Sequence, residues 1–314
     1  MRGLNVQYGS GRGAHKVIND LSLSIATGQV LGLVGESGSG KSTVARGLLG
    51  LTTATGAVAV GGQILHTKPA IRRARNIQMI FQDPYASLNP RMTIGAIIAE
   101  ALVVRPELGR AERRAEVSRL LELVLLDPDV TDRLPGQLSG GQRQRVAIAR
   151  ALAASPKVIV ADEITSALDV SVQAQVLNVL RGVLRHEQLS VLFISHSLAV
   201  VRYISDHIAV MHDGRIVETG ATEDVITAPQ HPYTRALLAA VPTLDGAPIQ
   251  DTSWLPIAGP QEAGPLATGC PYRARCPVGP AARDDRSDCA TVDPALDAAG
   301  RVNQATCLFA RPRR

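Results

Sequence analysis

The sequence predicts an α/β fold, and three kinds of observation support this prediction. Short apolar runs that are typical of buried strands recur at 30–34, 77–82, 158–162 and 191–194. Stretches with the apolar spacing of helices lie between some of these runs, as at 110–126. A glycine-rich loop directly follows the first apolar run. Strands that alternate with helices in this way indicate an α/β domain.

We call residues 35–42 the phosphate loop, because Gly-Glu-Ser-Gly-Ser-Gly-Lys-Ser fits the pattern G-x-x-x-x-G-K-[ST] between a strand and a helix. Its glycines let the backbone approach a phosphate, and N–H groups at the helix start point at the anion. Lys41 adds positive charge, and the Ser42 hydroxyl is suited to ligate Mg²⁺. The loop therefore predicts a nucleoside-triphosphate site. The residues expected to bind the nucleotide there are Gly35, Ser37, Gly38, Ser39, Gly40, Lys41, Ser42 and Thr43.

Composition excludes several classes of protein. The 314 residues carry a net charge of +5, and with only 3% aromatic residues no basic stripe with interleaved aromatics is visible, which argues against nucleic acid as a partner. No apolar run reaches the ~18 residues of a membrane span, and the start does not resemble a signal peptide. We therefore expect a cytosolic chain. All four cysteines follow residue 269, and in that compartment metal or cluster binding is favoured over disulfides.

The first part of the chain predicts antiparallel strands. Residues 4–8 and 17–25 alternate as strands do, and 58–65 reads as a hairpin around Gly61-Gly62. Tyr8 is a candidate to stack on a nucleotide base, and packing of a tyrosine at a strand end explains its position equally well.

A helical insertion follows the strand that ends at Gln82. Helices are expected at 93–104 and 110–126, and the insertion runs to about residue 150. Near its end lies Leu-Ser-Gly-Gly-Gln, which we call the signature segment (138–142). Ser139 is a good helix N-cap, and the glycines leave N–H groups open, so this segment predicts either a second anion site or a simple capped helix.

Two acids end the apolar strand predicted at 158–163. Asp162 is suited to hold Mg²⁺ through water, and Glu163 is suited to orient and polarise an attacking water. The alternative is an acid pair that faces solvent. His196 follows the strand at 191–194, at the strand end where open α/β sheets place their ligands. Residues 208–218 predict a closing hairpin.

Together, these motifs resemble the ATP-binding subunits of ABC transporters over residues 1 to about 228. The phosphate loop resembles Walker A, Gln82 the Q-loop glutamine, the signature segment the ABC signature, VIVADE Walker B, SALD the D-loop and His196 the switch histidine. FQDPYASLNPRMTIG, TSALDVSVQAQVLNVL and HPYTRALLAAVP are similar to the oligopeptide/dipeptide importer branch, which includes nickel importers.

The resemblance implies a division of the chain into three parts. Residues 1–84 and 151–228 are expected to form the ATP-binding core, which has the P-loop NTPase (RecA-like) fold with an antiparallel β subdomain. Residues 85–150 are expected to form an α-helical subdomain that carries the signature segment. Residues 229–314 are expected to form a C-terminal extension with the four cysteines.

The resemblance also implies a mechanism with ATP and Mg²⁺ as cofactors. Two ATP-binding subunits, identical or related, are expected to close head to tail over the nucleotide. Lys41 and Ser42 of one would hold the phosphates, and the signature segment of the other would cover the γ-phosphate. The implied signature contacts are Ser139, Gly140, Gly141 and Gln142, and the implied Mg²⁺ ligands are Ser42, Gln82 and Asp162.

Glu163 is expected to be the catalytic acid/base residue, with His196 steadying the γ-phosphate and Gln82 contacting Mg²⁺ or the water. Relatives usually have proline after this glutamate, whereas this chain has Ile164. Because the acid is retained, we expect competent hydrolysis.

The expected partners are transmembrane permease subunits, with an extracytoplasmic solute-binding protein acting indirectly, so the chain is expected at the cytoplasmic face of the cell membrane. A di- or oligopeptide is the expected solute. A nickel or other small-solute importer of the same branch, and a soluble ABC ATPase outside transport, are the alternatives.

The cysteines Cys270, Cys276, Cys289 and Cys307 are separated by 5, 12 and 17 residues. In some members of the branch a similar tail resembles a [4Fe–4S] site. A cluster, a zinc site and unligated thiols all remain open, since four cysteines suit both metals.

Overall fold

The structure is a computed structural model that describes residues 1–9, 14–65, 75–240, 256, 268–294 and 303–310. Its strands are β1 Arg2–Tyr8, β2 His15–Leu21, β3 Val30–Val34, β4 Ala54–Ala57, β5 Ala59–Val60, β6 Gln63–Ile64, β7 Ile77–Ile80, β8 Val158–Asp162, β9 Ser190–Ile194, β10 His207–His212, β11 Arg215–Ala221 and β12 Gln304–Ala305. Its α-helices are α1 Lys41–Leu49, α2 Pro84–Ser87, α3 Ile94–Ala101, α4 Arg110–Leu123, α5 Gly140–Ala153, α6 Val170–Glu187, α7 Leu198–Ile204, α8 Thr222–Thr227, α9 Pro232–Ala239 and α10 Asp288–Thr291.

The chain divides into two compact units. Unit one comprises Met1–Ser24, Leu31–Ala57 and Ile194–Arg314, and unit two comprises Ile25–Val30 and Val58–Phe193. This division is drawn from contacts within the chain. The three-part division that the sequence predicts, with boundaries at 84, 150 and 228, stays a prediction.

Unit one contains the expected antiparallel strands. β1 pairs with β2 on one side and with β4 on the other, both antiparallel. The sequence predicted a strand over 17–25, but β2 ends at Leu21. Beyond this end, Met1 and Leu23 still exchange two backbone hydrogen bonds, of 2.8 Å from the Met1 amino group and 3.1 Å from Leu23 N–H.

A mixed sheet in unit one positions the phosphate loop. All five residues of β3 are buried, as the apolar run predicted. β10 runs parallel to β3 with Val210 opposite Val34, and β11 returns antiparallel through the turn at Asp213-Gly214. The predicted closing hairpin is therefore confirmed. The register also brings Met211 beside the first residue of the phosphate loop.

Unit two contains a parallel strand pair and a helical layer. β7 and β8 are parallel, with Ile77 opposite Val158 and Ile80 opposite Ala161, and β9 is the next strand after β8. The helices predicted at 93–104 and 110–126 are present as α3 and α4. Apolar side chains from α3, α4 and α5 are fully buried, among them Ile98, Leu120 and Ile148. The predicted hairpin is also present, with Gly61-Gly62 between β5 and β6.

One buried carboxylate fastens the C-terminal segment to the sheet of unit one. By the C-terminal segment we mean the described residues from 229 onward. Glu218 in β11 is completely buried and lies opposite Ala305 of β12. Its oxygens accept hydrogen bonds from the backbone N–H groups of Gln230 and His231, both at 2.8 Å, and from the Asn303 side-chain amide at 3.0 Å. Glu218 thereby fixes both the start of α9 and the segment that leads into β12, just before Cys307.

We expect Glu218→Gln to destabilise the protein, because the new NH₂ group replaces an acceptor and leaves buried donors unsatisfied. The expected loss is about 1–3 kcal/mol, seen as a lower midpoint of urea unfolding. Glu223→Gln is the matched control, since Glu223 is exposed and pairs with Arg202 at the surface. Equal effects of the two substitutions would contradict the anchoring role of Glu218.

Candidate functional site

The phosphate loop connects β3 to α1 and lies close to neighbouring backbone. A Cβ atom added at Gly35 would come 2.2 Å from the Met211 carbonyl oxygen, so no side chain fits there. Gly40, the N-cap of α1, has a φ of 102°, which residues with a side chain rarely adopt. Gly35 therefore permits close packing of the loop on the Met211 backbone, and Gly40 adopts a conformation that suits glycine. Approach of the loop to a phosphate stays a prediction.

Lys41 lies inside the curve of the loop. The residue is only 6% exposed, and its ammonium donates hydrogen bonds of 2.8 Å to the carbonyl oxygens of Gly35 and Glu36. The Ser39 hydroxyl is 3.5 Å away. A buried positive charge at the N-terminus of a helix is suited to bind the phosphates of a nucleotide.

The other residues of the predicted nucleotide site differ in how far they are exposed to solvent. Ser37 and Gly38 are exposed, Ser39 is buried, and Ser42 and Thr43 are half-buried in the first turn of α1. The Ser39 carbonyl oxygen accepts a hydrogen bond from Gly214 N at 3.0 Å, which ties the loop to the β10–β11 turn.

Tyr8 is the last residue of β1, and its side chain contacts α1. Hydrogen bonds to Thr52, Thr43 and Arg46 lower the pKa of the Tyr8 phenol. Because Thr43 belongs to the predicted nucleotide site, Tyr8 lies beside that site, and 40% of it is exposed. Stacking of its ring on a base stays a prediction.

His196 lies at the same end of unit one as the phosphate loop. It is exposed and follows Ser195, whose backbone N–H donates a 3.3 Å hydrogen bond to the Leu33 carbonyl oxygen in β3. The Ser195 hydroxyl accepts from Ser197 N at 3.0 Å, and Ser197 caps α7. These bonds fix the backbone on both sides of the histidine.

In unit two, the structure brings Gln82 and Glu163 together. The Gln82 amide nitrogen is 3.1 Å from a Glu163 carboxylate oxygen and 3.3 Å from the Ser166 hydroxyl. The parallel register of β7 and β8 explains this pairing, because both residues lie just beyond the carboxyl ends of adjacent strands. Asp162 is the last residue of β8 and is only 7% exposed, so it does not face open solvent.

Glu163 occupies an uncommon backbone conformation, with a φ of 48°. Such a conformation costs roughly 1–2 kcal/mol for a residue with a side chain. The Ser166 backbone N–H and hydroxyl both bond the Glu163 carbonyl oxygen, at 3.1 and 2.9 Å, and stabilise it. Ile164 is 1% exposed, so its side chain anchors the loop in the core just after the carboxylate. The substitution for proline therefore leaves the acid in place.

The signature segment starts α5 as predicted. The Ser139 hydroxyl accepts from Gln142 N at 3.3 Å, and the Gln142 side chain accepts from Ser139 N at 2.9 Å, which together form a capping box. A Cβ atom at Gly141 would lie 2.6 Å from a Val172 methyl group, so this glycine permits close packing of α5 on α6. A Cβ atom at Gly140 would lie 3.3 Å from the Leu168 side chain. The D-loop residues directly precede α6, and the last of them, Asp169, is its N-cap.

All four cysteines line one small cavity of about 20 Å³ in unit one, together with His231 and Phe309. Cys270, Cys276 and Cys289 are buried, and none of the four forms a disulfide. Burial raises the pKa of Cys270 and Cys276 to about 12, with the other thiols adding to the effect. Among the described residues, no group of three His, Cys, Asp or Glu side chains is close enough to hold a single metal ion.

Two contacts to the phosphate loop escaped the sequence analysis. The Tyr233 hydroxyl accepts a 2.9 Å hydrogen bond from Glu36 N, and an Arg275 guanidinium nitrogen lies 3.4 Å from a Glu36 carboxylate oxygen. Tyr233 belongs to the segment HPYTRALLAAVP, which the sequence marked only as a branch resemblance. Nothing in the local pattern around Arg275 signals its contact.

Comparison with known proteins identifies the family to which the chain belongs. Residues 18–166 match the ABC transporter family, and residues 217–282 match the oligopeptide/dipeptide transporter C-terminal region. The oligopeptide transport ATP-binding protein OppF of Escherichia coli is 46% identical over 305 residues, which is 95% of this chain and 89% of that protein. The chain belongs to the ATP-binding subunits of ABC transporters. It is an ABC-type ATPase of the oligopeptide/dipeptide branch.

Further relatives agree with this membership. A putative peptide import ATP-binding protein of Brucella ovis is 47% identical over 282 residues, covering 88% of this chain and 89% of the relative. The dipeptide transport ATP-binding protein DppF of Lactococcus lactis is 47% identical over 268 residues, covering 82% and 84%.

Solved structures support the same fold. The ATP-binding cassette MJ0796, in a dimeric post-hydrolysis state bound to ADP and Pi, has a TM-score of 0.62 and 28% identity, covering 70% of this chain and 97% of that one. CbiO1 of Clostridium perfringens has a TM-score of 0.64 at 24% identity, covering 72% and 91%. Within the part of this chain that the structure describes, no helix is long and apolar enough to cross a bilayer.

We expect Gly35→Ala to weaken MgATP binding at least tenfold, because the added methyl group meets the Met211 carbonyl and displaces the phosphate loop. The substitution also destabilises the fold, by about 1–3 kcal/mol. Gly28→Ala is the matched control, since Gly28 has a φ of 75° but open space around it. Its stability loss is expected at roughly 1–2 kcal/mol with unchanged MgATP affinity. Calorimetric titration measures the MgATP affinity of both variants. Equal affinities would contradict the assignment of residues 35–42 as the phosphate-binding loop.

Proposed function

We propose that this ATPase is the motor subunit of an ABC importer for di- or oligopeptides. The observation that carries the solute class is the match of residues 217–282 to the oligopeptide/dipeptide transporter C-terminal region, joined by relatives whose names specify peptide import. Import of nickel or another small solute by the same branch is the second candidate.

The proposed chemistry assigns roles by family resemblance and local geometry. Lys41 neutralises the outer phosphates, and the phosphate-loop N–H groups orient them. Glu163 polarises the attacking water, and Gln82, bonded to it at 3.1 Å, holds the carboxylate in its reactive orientation. His196 steadies the γ-phosphate. Catalysis is mostly positioning and charge stabilisation, as is usual for phosphoryl transfer.

The nucleotide is proposed to bind with Mg²⁺, for which the residues present are suited. Ser42, Gln82 and Asp162 supply hydroxyl, amide and carboxylate oxygens, which are the ligand types that Mg²⁺ prefers. The buried position of Asp162 at a strand end supports this role. Bound Mg²⁺ would neutralise phosphate charge.

Assembly is proposed as a head-to-tail pair of ATP-binding subunits, in which the signature segment of one covers the γ-phosphate of the other. This pair would work on separate permease subunits at the cytoplasmic face of the membrane, and a solute-binding protein would deliver the peptide. The capping box leaves the N–H groups of Gly140 and Gly141 at the start of α5, where an anion is favoured. The solved dimer of MJ0796 is a related cassette that supports pairing.

We expect Glu163→Gln to abolish hydrolysis while MgATP affinity is retained. The glutamine amide has nearly the shape of the carboxylate but cannot act as a base towards the attacking water. Phosphate release and nucleotide binding are the measurements, and a stable ATP-bound dimer should accumulate. Near-normal turnover would exclude Glu163 as the catalytic residue.

Uptake tests the solute class. In cells that carry the whole importer, Glu163→Gln should abolish uptake of labelled di- and oligopeptides and leave nickel uptake unchanged. Loss of nickel uptake with normal peptide uptake would instead support the second candidate.

The shared site predicts that two different inactive variants complement each other. Mixing Lys41→Ala with a signature variant should restore a fraction of the wild-type ATPase rate, since one composite site is then intact. Ser139→Ala also removes the helix cap, which costs about 1 kcal/mol. Ser139→Asn keeps the cap and is the cleaner partner. No activity above the sum of the separate variants would contradict action in trans.

The four cysteines are proposed to hold a [4Fe–4S] cluster. A zinc ion needs its sulfur ligands at about 2.3 Å from one point, and the described side chains do not converge in this way. A cluster takes one thiolate on each of several irons, and the four thiols around one cavity supply the number and type of ligands that it needs. A bound cluster would cross-link the cysteine segments and exchange one electron.

We expect anaerobically purified protein to contain about four iron and four acid-labile sulfide atoms per chain, with visible absorption. Cys276→Ser should lose both. Colourless protein without iron would leave zinc or free thiols as the state of the cavity.

A further inference from the structure

The C-terminal segment contacts the phosphate loop at the peptide group that joins Gly35 to Glu36. Its N–H donates to the Tyr233 hydroxyl at 2.9 Å, and its carbonyl oxygen accepts from the Lys41 ammonium at 2.8 Å. In a trans peptide these two groups point in opposite directions. The peptide is therefore clamped from both sides, by the tyrosine and by the phosphate-binding lysine.

We propose that Tyr233 and Arg275 are positioning residues of the ATP site. They act through Glu36 and hold the phosphate loop in the conformation that binds nucleotide. This inference rests on the assignment of the phosphate loop as the ATP site, and it adds a role for residues of the C-terminal segment.

The environment of Tyr233 fixes where its hydroxyl points. The residue is 1% exposed and lies in the first turn of α9. Its ring packs on His212 and Tyr272, with centroid distances of 4.3 and 5.4 Å. Burial and the Arg275 charge lower the pKa of His212 to about 4, so this ring is neutral near pH 7 and packs without a charge. Burial also raises the pKa of Tyr233, which keeps its hydroxyl protonated.

Loss of the Tyr233 hydroxyl would free the Gly35–Glu36 peptide to rotate. The Gly35 carbonyl would then move relative to Lys41, and the lysine would lose one of its two 2.8 Å acceptors. Because Lys41 supplies the charge for the outer phosphates, a disordered clamp lowers affinity for ATP and ADP alike.

Arg275 adds a second contact to the same residue, through the Glu36 side chain. The pair is partly exposed, with 26% of the Arg275 side chain and 42% of the Glu36 side chain accessible, so its contribution is smaller than that of the buried tyrosine. Arg275 directly precedes Cys276, and its backbone N–H bonds the Tyr272 carbonyl oxygen at 3.1 Å. The segment Cys270–Cys276 thus meets the phosphate loop through both Arg275 and the ring of Tyr272 against Tyr233.

Tyr233→Phe is the first test, because it keeps the ring packing and removes only the hydroxyl. We expect the Kd for MgADP and the KM for ATP to rise about five- to tenfold, with kcat within about twofold of wild type. Tyr272→Phe is the matched control. Its hydroxyl is buried and meets no hydrogen-bond partner among the described residues, so its loss should leave Kd and KM unchanged.

Arg275→Gln is the second test, with an expected two- to fourfold rise in the Kd for MgADP, since the lost pair is partly exposed. Arg275→Lys should recover most of the affinity. Arg202→Gln removes an exposed pair with Glu223 elsewhere in unit one and serves as its control.

The outcomes separate this inference from the proposed function. If wild-type protein binds MgADP and Tyr233→Phe binds it equally well, the positioning role is overturned and the ATP site stands. If wild-type protein binds no nucleotide, the ATP-site assignment itself fails. A fall in kcat without a change in Kd or KM would also overturn the inference, as would equal effects of Tyr233→Phe and Tyr272→Phe. Should Tyr233→Phe not fold, the Arg275 variants decide by the same measurement.

Discussion

The orientation of the Gly35–Glu36 peptide is the constraint on which the nucleotide site depends. The peptide follows β3, where the Met211 carbonyl leaves no room for a side chain at residue 35. Lys41 holds its carbonyl oxygen and Tyr233 holds its N–H. A buried polar group without a partner costs 1–3 kcal/mol, so each contact matters for the loop. The sheet, the first helix and the C-terminal segment thus meet at one peptide.

Unit two holds two of the proposed catalytic residues at the carboxyl ends of parallel strands. Because β7 and β8 are in parallel register, Gln82 and Glu163 follow at the same edge and bond each other. The strained backbone of Glu163 is held by Ser166 on one side and by the buried Ile164 on the other. The position of the carboxylate is therefore set by packing and hydrogen bonds, and proline at residue 164 is not needed for it.

Local patterns in the sequence predicted the fold class and many of the strands and helices, while the roles of the site residues stay predictions. Apolar runs predicted β3, β7, β8 and β9, and the glycine-rich motif predicted the phosphate loop, because these signals lie within a few residues. The early end of β2 was not predictable, since the apolar alternation continues to Ile25 and does not record where strand pairing stops. The contact of Glu36 with Tyr233 spans 197 residues, and no periodicity records it. The grouping of four cysteines around one cavity likewise requires the folded chain.

Binding of adenine nucleotides of different length tests the central claim most directly. The account predicts that one MgATP binds per chain, that MgADP competes with it, and that AMP competes at least a hundredfold more weakly, because recognition comes from backbone N–H groups and Lys41 around the outer phosphates. Calorimetric competition on the wild-type chain measures this. Equal affinity for AMP and MgATP would contradict the account, since the phosphate loop would then not be what holds the nucleotide.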